Sequence, residues 1–320
     1  MPEYFEEDTL DDLLNKVTKK VLCCGSKLNP SRGQMRELFG VSIVLKNPRA
    51  RLSRSESRGK VLSALGELLW YLSGESKLEF IQYYLSKYEE ESDDGVLVRS
   101  GYGDRLFKYN NINQIDNVIE TLKRKSSSRR AVVQIFDGSD LAGNYSSIPC
   151  TCLFQFAIRN GRLHMITYMR SNDIHLGLPH DIFSFTMIQE IIAKSIGCDI
   201  GEYQHFVGSL HLYERNVDAA EQYLSEGFHD QIEMDAMPDS DPWEAIKVVL
   251  SFEEKLRVSS CSLNIPEELH EYWKDICRLL VVFKYIKNKK SELLPGCVDT
   301  ISNDYLKLYV RDKIHSFLSE

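Results

Sequence analysis

Residues 149–173 read PC-TCLFQFAIR-NG-RLHMITYM-RSND, and the middle of that stretch decides the fold. Residues 151–159 and 162–169 are two β-rich runs separated by Asn160-Gly161. That dipeptide favours a type I′ hairpin turn, whose two central residues both take positive φ. A two-residue loop sets Thr151 opposite Arg170 and Cys150 opposite Ser171. A β-bulge would shift that register by one. In either register a cysteine and an arginine meet at the open end of the hairpin.

At that open end, Cys150 follows Pro149, which restricts how the chain enters the strand. A guanidinium beside the thiol would favour the thiolate and lower its pKa. A thiolate at a strand end beside a cation is a candidate nucleophile. The position also suits an ordinary buried cysteine, and the chain has eight cysteines. Arg170-Ser171 joins a two-pronged donor to a hydroxyl, a combination suited to phosphate. Arg129-Arg130 is a second cationic pair, and at a helix C-terminus it would also complement the helix dipole.

Further along, residues 181–196 (DIFSFTMIQEIIAKSI) predict a long apolar helix stopped by Gly197, and residues 203–213 predict a strand. Upstream, residues 38–45 and 131–136 read as strands. Residues 60–72 (KVLSALGELLWYL) and 112–125 carry helical spacing. After residues 237–242 (MPDSDP) the pattern turns mainly helical. The organisation is α+β: a sheet with packed helices over residues 1–235, then a helical C-terminal extension over 236–320.

Composition excludes several classes. A net charge of −8 argues against a broad nucleic-acid surface but leaves room for a local basic pocket. The first fourteen residues are acidic, unlike a signal peptide, and the apolar run at 276–286 is broken by Arg278 and Lys284. No cysteine or histidine spacing suits a metal, and His175 and His180 have no ligand partners at such spacing, so no metal is expected. Reduced thiols in a cytoplasmic protein are the expectation, with no membrane and no nucleic-acid partner. Trp243 and Trp273 read as core of the extension, and residues 287–290 as a solvated helix end.

Seven short motifs then stand in a telling order: Glu67-Leu68-Leu69-Trp70, Tyr102-Gly103, Arg129-Arg130, Pro149-Cys150, Arg170-Ser171-Asn172-Asp173, Leu176-Gly177-Leu178-Pro179 and His211-Leu212-Tyr213. Together they resemble the thymidylate synthase superfamily across residues 33–213. The resemblance implies a thymidylate synthase-like mixed sheet and 5,10-methylenetetrahydrofolate as cofactor. It implies that Cys150 adds to C6 of a pyrimidine nucleotide, Tyr102 helps remove the C5 proton through water, and Glu67 orders water. Arg170, Ser171, Arg129 and Arg130, with Arg32, would hold the 5′-phosphate, and His211 and Tyr213 the sugar. Asp173 would lie near both folate and pyrimidine, with Trp70 on the folate side. The arginine pair would come from the other subunit, which implies a homodimer.

Departures from the family pattern point to the base. Asp181 stands where thymidylate synthases usually carry asparagine. A carboxylate only accepts hydrogen bonds, so against uracil O4 it sets acceptor against acceptor, at a cost of about 1–3 kcal/mol. It suits a cytosine protonated at N3, while a neutral acid would escape the penalty. Asp181 would also serve as N-cap of the helix it opens. Thr151 follows the cysteine where histidine is usual, and here, as at 169–173 and 208–211, the chain is similar to cytidylate hydroxymethylases. Residues 315–320 do not match the apolar tail that closes the site in thymidylate synthases, which would favour water over hydride as the trap. The expected reaction is C5 hydroxymethylation of a cytidine monophosphate, dCMP first. Thymidylate synthesis from dUMP, a non-catalytic nucleotide sensor, and a cysteine hydrolase pairing Cys150 with His211 or His180 are the competing readings.

Overall fold

The computed structural model describes residues 3–53, 61–227, 231–259 and 263–319. Among them, β1 (Glu3–Glu7), β2 (Ser26–Leu28), β3 (Met35–Leu45), β4 (Val132–Gln134), β5 (Thr151–Arg159), β6 (Arg162–Asp173) and β7 (Asp199–Tyr213) form one mixed sheet. Its order is β1-β3-β7-β6-β5-β4, with β2 paired to β3. The β5–β6 hairpin turns at Asn160 (φ 50°) and Gly161 (φ 74°), as the dipeptide requires. Pairing runs from Arg159↔Arg162 to Leu153↔Tyr168, and a bulge then sets Thr151 opposite Met169. The shift by one residue is the one a bulge imposes.

Helices cover one face of the sheet. They include α1 (Leu10–Cys24), α2 (Val61–Leu72), α3 (Leu78–Tyr84), α4 (Gly103–Phe107), α5 (Gln114–Arg124), α6 (Gly177–Ile196) and α7 (Val217–Ser225). Along β6, Leu163, Met165, Thr167 and Met169 are buried, while Ile166 and Tyr168 alternate to the less covered face. Helix α6 is apolar nearly all round and sits in the core. It begins at Gly177, four residues before the predicted start, because Pro179 is tolerated in a first turn whose N–H groups lack intrahelical partners. Asp181 therefore lies inside the helix, and the N-cap is Leu176. The capping role expected for Asp181 is overturned.

The N-terminal β1 and α1 were not legible in the acidic opening. Thr9 caps α1 by accepting from Asp12 N–H, and Leu10, Leu13, Leu14, Val17 and Val21 bury one face. The helical C-terminal part comprises α8 (Pro242–Val258), α9 (Glu271–Lys287), α10 (Leu294–Thr300) and α11 (Asp304–Ser319). It is fastened through buried polar contacts. Tyr309 Oη accepts from Val61 N–H at 2.7 Å, at the start of α2. Tyr84 donates to Glu253 at 2.8 Å, and Trp243 Nε1 donates to Ser195 Oγ at 2.9 Å. Trp273 is buried, as expected. Lys287 is not simply solvated: its ammonium lies 4.4 Å from the Tyr83 ring centroid and donates to the Tyr83 carbonyl. Lys60, Glu320 and the side chains of 315–319 lie outside the described residues. No described helix is long and apolar enough to cross a membrane.

Candidate active site

The hairpin's open end delivers Cys150. Arg170 N–H donates to Cys150 O at 2.9 Å, which ties the cysteine to the end of β6. The Arg170 guanidinium donates to Pro149 O at 2.9 Å and Ile148 O at 3.0 Å, clamping the entry to β5. The expected lowering of the thiol pKa does not follow. Burial pushes the Cys150 thiol up, and Asp181 and Glu91 add to that, against the pull of Arg170 and Arg32. The two cations limit the rise without reversing it.

Tyr102, at the head of α4, faces the cysteine from above. Its hydroxyl accepts from Thr151 Oγ at 2.9 Å and Thr151 N–H at 3.3 Å, so the residue after Cys150 fixes the tyrosine. The ring stacks on Tyr71 with centroids 4.8 Å apart. Burial, with Asp181 and Cys150 nearby, holds the Tyr102 hydroxyl well above its usual pKa. It remains an O–H, able to donate and accept a hydrogen bond, and is no phenolate base.

Glu67 is buried on α2, where Tyr88 donates to its Oε1 at 2.5 Å. Trp70 is wholly enclosed behind Tyr88, with ring centroids 5.4 Å apart and its Nε1 without a hydrogen-bond partner among the described residues. Asp181 comes in from α6. Burial first, then the charge of Glu67, raises its pKa well above the usual carboxylate value, against a hydrogen bond from Asn172. Asn172 Nδ2 donates to Asp181 Oδ2 at 2.8 Å. His205, behind Asn172, is held neutral by burial, with its pKa lowered to about 3.

The anion-holding candidates divide into two sets. Arg32 reaches the mouth, where its charge acts on both Cys150 and Tyr213, and it forms an ion pair with Glu91 at 2.8 Å. Ser171 Oγ lies 3.4 Å from His211 Nδ1, and His211 packs edge-on against Tyr213. Arg170, Ser171, Arg32, His211 and Tyr213 thus share one opening with Cys150. Arg129 and Arg130 do not join them. They precede β4, whose antiparallel register (Val132↔Gln155) carries them toward the Asn160-Gly161 turn. Both side chains are exposed and have no hydrogen-bond or ion-pair partner among the described residues.

Asp173 Oδ1 accepts from His175 N–H at 2.7 Å and Leu176 N–H at 3.2 Å, while Oδ2 makes no hydrogen bond among the described residues. An acceptor oxygen left open fits a group that carries N–H donors, whereas Trp70, wholly enclosed, does not face the opening, contrary to expectation. Tyr88 and Glu91 are site residues that the sequence reading missed. Both lie on one 3₁₀ turn, Ser86–Glu91, in an acidic run that reads as solvated surface. The signal was Tyr88 itself, an aromatic residue in an otherwise polar stretch.

The cysteine, the tyrosine relay and two buried carboxyl groups can together run nucleophilic addition coupled to proton transfer. Comparison with known proteins agrees with that chemistry. Residues 50–248 match the family described as thymidylate synthase. A protein of Bacillus phage SP01 named deoxyuridylate hydroxymethyltransferase is 30% identical over 281 residues, covering 82% of this chain and 70% of that protein.

Proposed function

The chain belongs to the thymidylate synthase family, and from that premise we propose that it hydroxymethylates C5 of a cytidine monophosphate, dCMP first. It is a one-carbon transferase acting on a pyrimidine nucleotide, with 5,10-methylenetetrahydrofolate as donor. When bound, the donor supplies an electrophilic one-carbon unit to C5. Asp173, through its open Oδ2, would hold that group's N–H donors.

The observation that carries the base assignment is Asp181, buried, its pKa raised well above the usual carboxylate value by that burial, and anchored by Asn172. When the Cys150 sulfur adds to C6 of cytosine, the electron pair moves toward N3, which must gain a proton. A neutral Asp181 has that proton to give, and its other oxygen can accept from the exocyclic amine. The asparagine usual at this place has no such proton. Tyr102 relays the C5 proton through water, and Glu67 orders water and assists the transfers. Arg170, Ser171 and Arg32 hold the phosphate, while His211 and Tyr213 hold the sugar. Hydroxymethyl as product is supported by the name of the phage relative and by Glu67 Oε2, which makes no hydrogen bond among the described residues.

The same relative favours a second reading, hydroxymethylation of dUMP, since its name refers to deoxyuridylate. A neutral Asp181 could accept from uracil N3–H and donate to O4, so the carboxyl group alone does not bar uracil. Uracil, however, needs no proton at N3 to activate C5, which leaves the buried acid without its task.

The chain acts as a homodimer in this account. Tyr168, 45% exposed, and Val132, 42% exposed, stand on the less covered sheet face, an apolar patch suited to a second copy. Arg129 and Arg130, whose side chains have no partner among the described residues, would then reach the partner's phosphate site. The proposal is tested by tritium release from C5-labelled dCMP and dUMP. Wild-type protein should release label faster from dCMP, and Cys150→Ala from neither. Faster release from dUMP would overturn the base assignment.

A further inference from the structure

The side chains around Glu67 are hydroxyls. Tyr71, Tyr88 and Tyr102 each have their pKa raised well above the usual value, with Glu67 among the causes for Tyr71 and Tyr88, and burial raises the Asp181 carboxyl group likewise. Glu67 brings a buried carboxyl group into this cluster. Its two oxygens differ. Oε1 takes the Tyr88 hydroxyl at 2.5 Å, within the range of a charge-assisted O–H···O⁻ bond. Oε2 makes no hydrogen bond among the described residues. Tyr88 is itself fixed edge-on against the enclosed Trp70 ring, on the turn whose Glu91 pairs with Arg32 at the mouth.

Resting on the hydroxymethyl reading above, we infer that Tyr88 is a positioning residue for the hydration step: its hydroxyl holds Glu67 by Oε1 so that Oε2 faces the water that attacks the one-carbon unit on C5. At that stage the nucleotide carries an exocyclic methylene at C5 and the Cys150 sulfur at C6. The water oxygen bonds to the methylene carbon, and one water proton passes to Glu67 Oε2. The exocyclic double-bond pair moves into the ring. It then forms the C5–C6 double bond as the C6–S bond breaks and its pair returns to sulfur. The products are the hydroxymethyl nucleotide, the Cys150 thiolate and a protonated Glu67, so atoms and charge balance. Tyr88 touches neither water nor nucleotide in this scheme and acts through the carboxylate.

Tyr88→Phe removes one oxygen and keeps the ring on Trp70. The experiment compares tritium released from C5 with hydroxymethyl nucleotide formed, with 2-mercaptoethanol present as a competing nucleophile. Wild-type protein is expected to form about one product per tritium released. In Tyr88→Phe that ratio should fall about tenfold, the effect of misaligning a general base, with the shortfall recovered as the thioether. Glu67→Gln, which keeps an acceptor for Tyr88, should lower the same ratio, and the double variant should lower it no further than the stronger single one. Exchange of the C5 hydrogen in D2O without the one-carbon donor reports whether Cys150 and Tyr102 remain assembled. A ratio that stays near one in Tyr88→Phe, with exchange retained, would overturn the inference. Wild-type protein that makes no hydroxymethyl nucleotide from dCMP or dUMP would instead overturn the reading on which it rests.

Discussion

The side-chain amide of Asn172 donates to Asp181 Oδ2 across 2.8 Å, joining the end of β6 to the second turn of α6. That bond aims the buried carboxyl group while His205, neutral behind it, adds no charge. Base choice in this account therefore rests on two residues nine positions apart, brought together because α6 starts at Gly177 and folds back on the strand.

Asp181→Asn should exchange one base for the other. With no proton for N3, kcat/KM on dCMP should fall by at least about a hundredfold, as expected for loss of a general acid. Activity on dUMP should fall far less or rise. Parallel assays of both nucleotides with the purified variant check this. An equal loss on both would mean that Asp181 does not choose the base.

Stability should also depend on Asp181. Its folded pKa is raised above the unfolded value near 3.9. The sign follows: the favourable contribution is fully present below that value and is lost as pH rises toward the folded pKa. Melting temperatures of wild type and Asp181→Asn, taken from pH 4 to pH 8, should shift in the variant's favour as pH rises. A constant difference would contradict a buried neutral acid.

Cys150 should be less reactive at neutral pH than a free thiol, since the thiolate is the nucleophile and burial disfavours it. Its alkylation by iodoacetamide should keep accelerating above pH 8.5, roughly where an ordinary cysteine levels off. Arg170→Met should slow alkylation at pH 8 further, by removing the larger of two compensating charges. A plateau below pH 8 in the wild type would contradict this.

A mixture of Cys150→Ala with Arg129→Ala/Arg130→Ala protein tests the shared site. Each variant alone should be nearly inactive. Random exchange of subunits should restore about a quarter of wild-type activity, because half the dimers then hold one intact site. No recovery after verified exchange would place the arginines outside the partner's site.

Tyr309→Phe tests how the C-terminal extension supports the catalytic helix. It leaves Val61 N–H without its 2.7 Å partner at the start of α2. The expected cost is about 1–3 kcal/mol, readable by denaturant unfolding. A loss of less than about 0.5 kcal/mol would mean that water satisfies the N–H.

The hairpin was legible because Asn160-Gly161 needs positive φ and its flanking strands alternate, both local properties. Cys150 and Arg170 followed from it by register alone. The thiol pKa was not legible, because pairing predicts a cation nearby while burial depends on how α2, α4 and α6 close over the site. The start of α6 was missed because Gly177 and Pro179 suggest a loop, although a first turn tolerates them. Tyr88 and Glu91 escaped because a 3₁₀ turn leaves no periodic signal, and an acidic run gives no hint that two members turn inward.

The central claim is that this fold delivers a hydroxymethyl group to cytosine. Its most direct test is the mass of the nucleotide formed from dCMP or dUMP with methylenetetrahydrofolate and the purified protein. The expected product is 5-hydroxymethyl-dCMP, with dUMP converted far more slowly. Thymidylate from dUMP, with dCMP left unchanged, would contradict it.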